Sequence, residues 1–285
     1  MLQLVWTTDL HLDHAPIDKQ ERWLRLITSQ ACDGLLIGGD LAEDGKALTW
    51  LEHIASSVDC PIYFVFGNHD YYGQSISQLQ QEIIRSCREH DQLHYLTDCS
   101  AIPLSSSMRE SQTGFYLVGD DGWGDATEGD FENSFVQLAD FARITDFASA
   151  SDRDRKRFLR ELGLVSAQRL AAKLTAVPND AKHVLVLTHV PPFVDACWYE
   201  GKTADSNWSP FFVCGQIGDV LEQYAIDRPE CETTVLCGHT HHSGFVKRRK
   251  NLVIYTGAAE LGNPSFAGKI TIDAQTMTVE RHDSI

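Results

Sequence analysis

No apolar run in the chain approaches the ~20 residues of a membrane span, so a helical bilayer protein is not expected. Charge arrives at Asp9, too early to leave room for the apolar core of a signal peptide, and the expected location is the cytoplasm. Basic residues are scarce: 24 Lys and Arg stand against 40 Asp and Glu, a net charge of -16. Such a field repels phosphate backbones and disfavours general nucleic-acid binding unless a local positive site overrides it. The eight cysteines form no Cys-x-x-Cys pair and keep no regular spacing, which argues against a thiolate zinc site and for reduced, mostly buried thiols. Internal repeats, low-complexity tracts and linkers are missing too, so residues 1–285 read as one domain.

What is present is an ordinary globular composition, 43% hydrophobic and 22% charged, long enough for a sizeable core. The stretch from Leu35 to Asp44 reads Leu-Leu-Ile-Gly-Gly-Asp-Leu-Ala-Glu-Asp: a buried strand, then glycines that let the chain turn and leave Asp40 at the strand tip. Four further expected strands end in the same way. Gln3 to Thr7 runs into Asp9 and His11, Ile62 to Phe66 into Asn68 and His69, His183 to Leu187 into His189, and Thr234 to Leu236 into His239 and His241. Any one of these residues alone reads as a cap or a hydrogen-bonding group. Together they would bring oxygen and imidazole donors to the carboxyl edge of an open α/β sheet, where ligands bind.

Between the strands, amphipathic helices are expected over Ile17 to Ser29 (with Ile17, Leu24 and Ile27 on one face), Gly45 to Ser57 and Ser75 to His90, giving βαβ units and parallel pairing. After a strand from Phe115 to Val118 the alternation stops. Residues 126–175 read as a mostly helical insertion whose charged stretch Ser151 to Arg160 is a solvated face, with a lid or substrate wall as the alternative. Trp123 and Asp120 could equally pack or touch substrate. The long loop from Pro191 to about Cys214 carries Trp198, Tyr199, Lys202 and Trp208, candidates for substrate contact. Gly215 to Ile226 reads as one more helix. The chain then turns to hairpins, Phe245 to Arg248 with Leu252 to Thr256 and Phe266 to Ile272 with Met277 to Arg281, so two sheets face to face with flanking helices are expected.

Asp, His and Asn donors without thiolate suit hard-to-borderline divalent cations such as Mn, Fe, Zn or Ni. A carboxylate can bridge two cations and imidazole does not, so Asp40 is the natural bridge. One cation would take Asp9, His11, Asp40 and His241, the other Asp40, Asn68, His189 and His239. Such a pair attracts phosphate into an otherwise acidic protein and activates water for in-line displacement. His69, beside Asn68 but not needed for coordination, is the candidate proton donor to the leaving oxygen, with Asp70 or Asp44 as orienting carboxylates.

Asp9-x-His11, Gly39-Asp40-x-x-Glu43, Gly67-Asn68-His69-Asp70, Thr188-His189 and Gly238-His239-Thr240-His241, in this order, resemble the calcineurin-like metallophosphoesterase superfamily. The resemblance implies an α/β four-layer αββα sandwich of two mixed β-sheets flanked by helices, the metallo-dependent phosphatase-like fold. It further implies a dinuclear centre with the ligands given above and His69 as the protonating histidine. Two departures narrow the branch. Glu43-Asp44-Gly45 stands where protein serine/threonine phosphatases have Asp-Arg-Gly, so a phosphate-facing arginine is lost, and the third block ends in Asp70 instead of Glu. Both favour a branch similar to cyclic-nucleotide and general phosphodiesterases. The expected activity is hydrolysis of a phosphomonoester or phosphodiester of a small molecule or nucleotide; the alternatives are a non-catalytic scaffold of the same fold or a nuclease. His14, His53, His90, His94, His183 and His282 read as ordinary, His242 as an exposed loop histidine with substrate contact as the alternative, and Lys247 to Lys250 as edge protection with binding of a phosphate tail as the alternative.

Overall fold

The computed structural model describes residues 1–104 and 114–282. Its strands are β1 (Leu2–Thr7), β2 (Gly34–Gly38), β3 (Ile62–Val65), β4 (Leu93–Tyr95), β5 (Ile102–Pro103), β6 (Phe115–Asp120), β7 (His183–Thr188), β8 (Trp198–Tyr199), β9 (Lys202–Thr203), β10 (Glu232–Cys237), β11 (Gly244–Arg249), β12 (Leu252–Thr256), β13 (Gly268–Ile272) and β14 (Met277–Arg281). One six-stranded sheet has the order β14-β13-β1-β2-β3-β4, a second the order β11-β12-β10-β7-β6-β5, and β8 and β9 form a small hairpin. In the first sheet β1 to β4 pair in parallel and β13 and β14 add antiparallel. In the second, β6, β7, β10 and β12 are parallel and the outer strands β5 and β11 antiparallel. Both sheets are therefore mixed, as expected.

The helices are α1 (Ile17–Thr28), α2 (Ala47–Ala55), α3 (Ile76–Glu89), α4 (Asp140–Arg143), α5 (Thr145–Ala148), α6 (Asp152–Ala176), α7 (Ser209–Phe212) and α8 (Gly215–Asp227). Period-two alternation along the strands decides the layers. Leu36 of β2 and Leu185 and Leu187 of β7 share one core with Leu4, Trp6 and Leu236, the apolar filling between the two sheets. Their neighbours Leu35 and Ile37 turn the other way and pack on Trp23, Ile27, Leu51, Leu79 and Ile83 of α1, α2 and α3. Val184 and Val186 likewise pack on Leu170, Leu174, Ile217 and Leu221 of α6 and α8. Helix, sheet, sheet and helix thus stack in four layers, each apolar face covered by the next.

Some expectations need correction. Ile17 opens α1 but is 72% exposed, because the helix meets the sheet only from Trp23 onward. The helical stretch after residue 126 begins irregularly, and its longest piece, the 25-residue α6, is the crossover between the parallel strands β6 and β7. Leu159, Leu170 and Leu174 bury one side of α6, and Arg169 reaches Asp120, which is fully buried, with Nε 2.7 Å from Oδ2. The Lys173 ammonium donates to the carbonyls of Leu96, Thr97 and Gly119. Asp120 therefore has a structural partner, and Trp123 packs against Tyr71 and Phe147. Packing is the role the fold gives both. The eight cysteines are free, five of them buried.

His183, at the start of β7, is 5% exposed, with Nε2 2.8 Å from Thr234 Oγ1. Burial pushes its pKa down from 6.5 to about 4, so between these values the unfolded chain binds a proton that the folded one does not. The stability carried by the neutral ring is present above pH 6.5 and lost as pH falls through about 4, up to ~3 kcal/mol in full. Urea midpoints of wild type and His183→Gln are expected to diverge as pH falls across this window, the variant changing less; parallel pH profiles would show that His183 does not set this acid sensitivity.

Candidate metal centre

The carboxyl ends of β1, β2, β3, β7 and β10 meet at one edge. Backbone bonds tie them together: Asp9 N donates to Gly39 O, His11 N to Asp40 O, and Gly238 N to His189 O, each at 2.9 Å. Among the described residues eight non-glycine positions have positive φ, and five of them are expected metal ligands: Asp9 (51°), His11 (42°), Asp40 (53°), His239 (71°) and His241 (60°). Left-handed backbone at a branched or bulky side chain costs ~1–3 kcal/mol and persists where surrounding structure enforces it, typically at functional sites. Gly67 is required by packing, since a Cβ there would overlap Asp40 Oδ1 and the His189 ring.

All seven sequence-predicted donors come together. Donor atoms of Asp9, His11, Asp40 and His241 lie within 4.8 Å of one another, and so do those of Asp40, His189 and His239. Asn68 joins the second group, its Oδ1 3.2 Å from His189 Nε2. Asp40 Oδ2 stands between the groups, 3.6 Å from His11 Nε2 and 3.5 Å from His189 Nε2.

Hydrogen bonding decides which atoms are bare. His189 Nδ1–H donates to Gly38 O at 2.8 Å, which leaves Nε2 of the neutral ring without a proton. His239 Nε2 approaches Phe211 O at 3.4 Å, which leaves Nδ1 bare, 3.1 Å from His189 Nε2. The Asn68 amide donates to Asp140 Oδ1 at 2.9 Å, so its oxygen is the end turned to the histidines. Lone pairs of two imidazoles, an amide and a carboxylate thus converge with no proton to share, an arrangement that fits a cation. His11 Nε2 and His241 Nε2 face each other at 3.2 Å beside Asp9 and Asp40.

The electrostatics agree. Burial raises the Asp9 carboxyl, yet the hydrogen bond and charge of His241 outweigh it and hold the pKa well below the ordinary range. Burial likewise opposes the ionisation of Asp40, but His189, His69 and His11 lower it on balance. Burial and the neighbouring His189 push His239 down to about 3, and burial lowers His11. Burial opposes the charge of His189 and His241, but Asp40 and Asp9 raise both above the ordinary imidazole value, so without a cation these two rings hold protons against the carboxylates. Ionised carboxylates and neutral imidazoles are the forms that hold metal, so a cation would take the place of those protons.

The sequence model of the calcineurin-like phosphoesterases matches residues 2–243. The chain belongs to this family. The phosphoesterase resembles, at 16% identity and a TM-score of 0.60, a phosphopantetheinyl hydrolase from Mycobacterium tuberculosis, with 91% of this chain and 90% of that one covered. It is similar at 14% identity and a TM-score of 0.60 to a dimetal phosphatase from Danio rerio, with 98% and 96% covered. These likenesses establish the fold. A comparison with curated protein sequences finds no match.

Around the two donor groups the phosphoesterase places residues that the sequence left without a role. His69 Nδ1 lies 2.7 Å from Glu43 Oε1, so Glu43 is the orienting carboxylate, not Asp70 or Asp44. Asp70 instead accepts the backbone N–H groups of Asp40, Leu41, Ala42 and Gly67 at 2.8–3.1 Å, pinning the β2 and β3 ends to each other. Asp44 pairs with Arg143 Nη2 at 2.8 Å, while Arg143 Nη1 bonds Glu43 Oε2 and its guanidinium lies 4.4 Å above the Tyr72 ring. The Tyr72 hydroxyl donates to Asp140 at 2.6 Å and stands 3.5 Å from His69 Nε2. Residues 140–143 thus adjoin the site. Burial opposes the His69 charge, but Asp40, Glu43 and Asp140 raise its pKa above the ordinary imidazole value. His14, read as ordinary, also stands 3.3 Å from Glu43 Oε1.

The loop after β7 brings aromatic surface to the second donor group. Phe212 lies over the His239 ring at 4.4 Å and Trp208 edges Phe212 at 5.6 Å. Tyr199 packs on His242 at 4.7 Å, and both Tyr199 and Trp208 remain exposed.

Proposed function

We propose that this phosphoesterase hydrolyses a phosphomonoester or phosphodiester of a small molecule or nucleotide at a two-metal site. Asp9, His11, Asp40 and His241 would hold one divalent cation, and Asp40, Asn68, His189 and His239 the other, with Mn, Fe, Zn or Ni suited to these donors. The observation that carries the reading is Asp40 Oδ2 lying about equally far from His11 Nε2 and His189 Nε2, at 3.6 and 3.5 Å. When bound, two such cations supply charge for phosphoryl oxygens and a lowered pKa for water.

The protein's own groups supply the rest. His69 would give a proton to the leaving oxygen. Glu43 accepts from Nδ1, which makes Nε2 the atom that delivers the proton, and Arg143 holds Glu43 from its other oxygen. Asp140 fixes the Asn68 amide. The exposed Tyr199 and Trp208 offer apolar contact to an organic group on the phosphate. The net charge of -16 disfavours a nuclease, and His69 with a full donor set disfavours a mere scaffold. The reading takes the chain as one domain working in the cytoplasm.

Metal analysis and hydrolysis of a chromogenic monoester and diester with added Mn test it; a protein that takes up no metal and turns over neither would refute it. His69→Ala is expected to keep its metal yet lose ~10²-fold or more in turnover of alkyl phosphoesters, less with nitrophenol as the leaving group. Equal turnover of alkyl esters by the variant would remove the acid role of His69.

A further inference from the structure

Cys32 and Cys60 lie 28 residues apart, yet their sulfurs are 3.5 Å apart. Each sits two residues before a strand, Cys32 ahead of Gly34 in β2 and Cys60 ahead of Ile62 in β3, and these strands are parallel neighbours with Leu35 opposite Ile62. Extending that register puts Cys32 one residue off direct opposition to Cys60; with strands ~4.8 Å apart and a rise of ~3.3 Å per residue the diagonal is about 5.8 Å, within the backbone spacing of about 4.4–6.8 Å that a disulfide spans. Side-chain rotation can therefore close the remaining gap to a bond of ~2.05 Å. The pair lies at the entry ends of β2 and β3, opposite the ends that bear Asp40 and Asn68. It opens on a surface cleft of about 440 Å³ walled by Ile27, Val58 and Pro61, with Asp33 and Asp59 on its rim. Cys32 is partly exposed and Cys60 buried.

We propose that Cys32 and Cys60 form a redox-active dithiol that a small disulfide converts to an intramolecular disulfide, with Cys32 attacking and Cys60 resolving. The Cys32 thiolate attacks one sulfur of the small disulfide, whose S–S bond breaks and releases one thiolate. Cys60 then loses its proton, attacks Cys32 Sγ and expels the second thiolate. The protein dithiol is oxidised, the small disulfide is reduced to two thiols, and these carry off the two protons. The assignment of roles follows from access and from hydrogen bonding. Once Cys32, the more exposed sulfur, is ionised it can only accept, so the Cys60 S–H donates to it; that bond and the Gly34 N–H bring the Cys32 thiol down to about 7 against burial and Asp33. That donation and burial hold Cys60 protonated. The carboxylates of Asp33 and Asp59 repel an anionic oxidant, so an uncharged disulfide reacts faster than oxidised glutathione.

The test uses the full-length, metal-loaded, fully reduced protein, exposed to hydroxyethyl disulfide and, separately, to oxidised glutathione. Titration after denaturation is expected to fall from eight free thiols to six, and peptide mapping by mass spectrometry to find Cys32 joined to Cys60. Cys60→Ser is expected to stop at a mixed disulfide on Cys32, and Cys32→Ser to lose the rapid reaction. Eight thiols persisting, or a cross-link between other cysteines, would overturn the proposal. Wild-type alkylation by iodoacetamide gives a check that no variant's folding can spoil: Cys32 labelling is expected to rise with a midpoint near pH 7, whereas one close to 9 would count against it.

Discussion

Asp40→Ala is expected to strip the protein of both bound cations and to lower phosphoester turnover by more than about 10²-fold, the upper range for loss of a merely outer partner of a metal ligand. Asp40 Oδ2 stands 3.5–3.6 Å from a nitrogen of each donor group, so its removal deprives both at once. Its other oxygen accepts the His69 backbone N–H at 2.9 Å, so the turn that carries His69 loosens as well. Elemental analysis and a chromogenic diester assay read the outcome. A ligand that stabilises only the folded state raises the melting temperature, so Mn should stabilise wild type and not the variant. A variant that retains two equivalents of metal would remove Asp40 from the bridging role.

Asp70→Ala is expected to have the largest effect on folding stability, about 4 kcal/mol or more. Asp70 is fully buried, and its carboxylate accepts four backbone N–H groups from two segments. Each buried donor left without a partner costs ~1–3 kcal/mol, and truncation leaves no side-chain atom to replace the carboxylate. Catalysis should fall with it, because two of the four donors belong to Asp40 and Gly67, whose positions set those of Asp40 Oδ2 and Asn68. Denaturant unfolding of metal-free proteins separates the folding term from any loss of metal. A change under 1 kcal/mol there would show that water or a backbone shift satisfies these groups.

The strands and their order of function could be read because both are local. Apolar runs such as Leu35 to Ile37 declare a strand, and the chemistry-bearing residues follow within a few positions of its end. Leu252–Thr256 and Met277–Arg281 have the bounds that alternation suggests. The three-residue β4, Leu93–Tyr95, escaped notice because a piece so short has no periodicity. Sequence adjacency does not give the partner of His69, because neighbours along the chain are not neighbours in space here. In the short turn from His69 to Tyr71 the Asp70 side chain points to the backbone of residues 40–42, and the carboxylate near the imidazole comes from Glu43. Glu43 was visible as the last member of Gly39-Asp40-x-x-Glu43, and only its role was missing. Asp140 and Arg143 carried no signal at all: they meet Asn68 and Glu43 across 72 and 100 residues from a segment without a motif.

The Arg143 clamp has an outcome for how such an enzyme can change. One guanidinium grips Glu43 and Asp44 while lying on Tyr72, and Glu43 in turn holds His69, so the segment 140–143 steadies that imidazole. If His69 acts as proposed, remodelling residues 140–143 would disturb its proton delivery in the same stroke. Diversification is freer around Tyr199 and Trp208, whose ring contacts are with His242 and Phe212 instead of with Glu43, Arg143 or Tyr72.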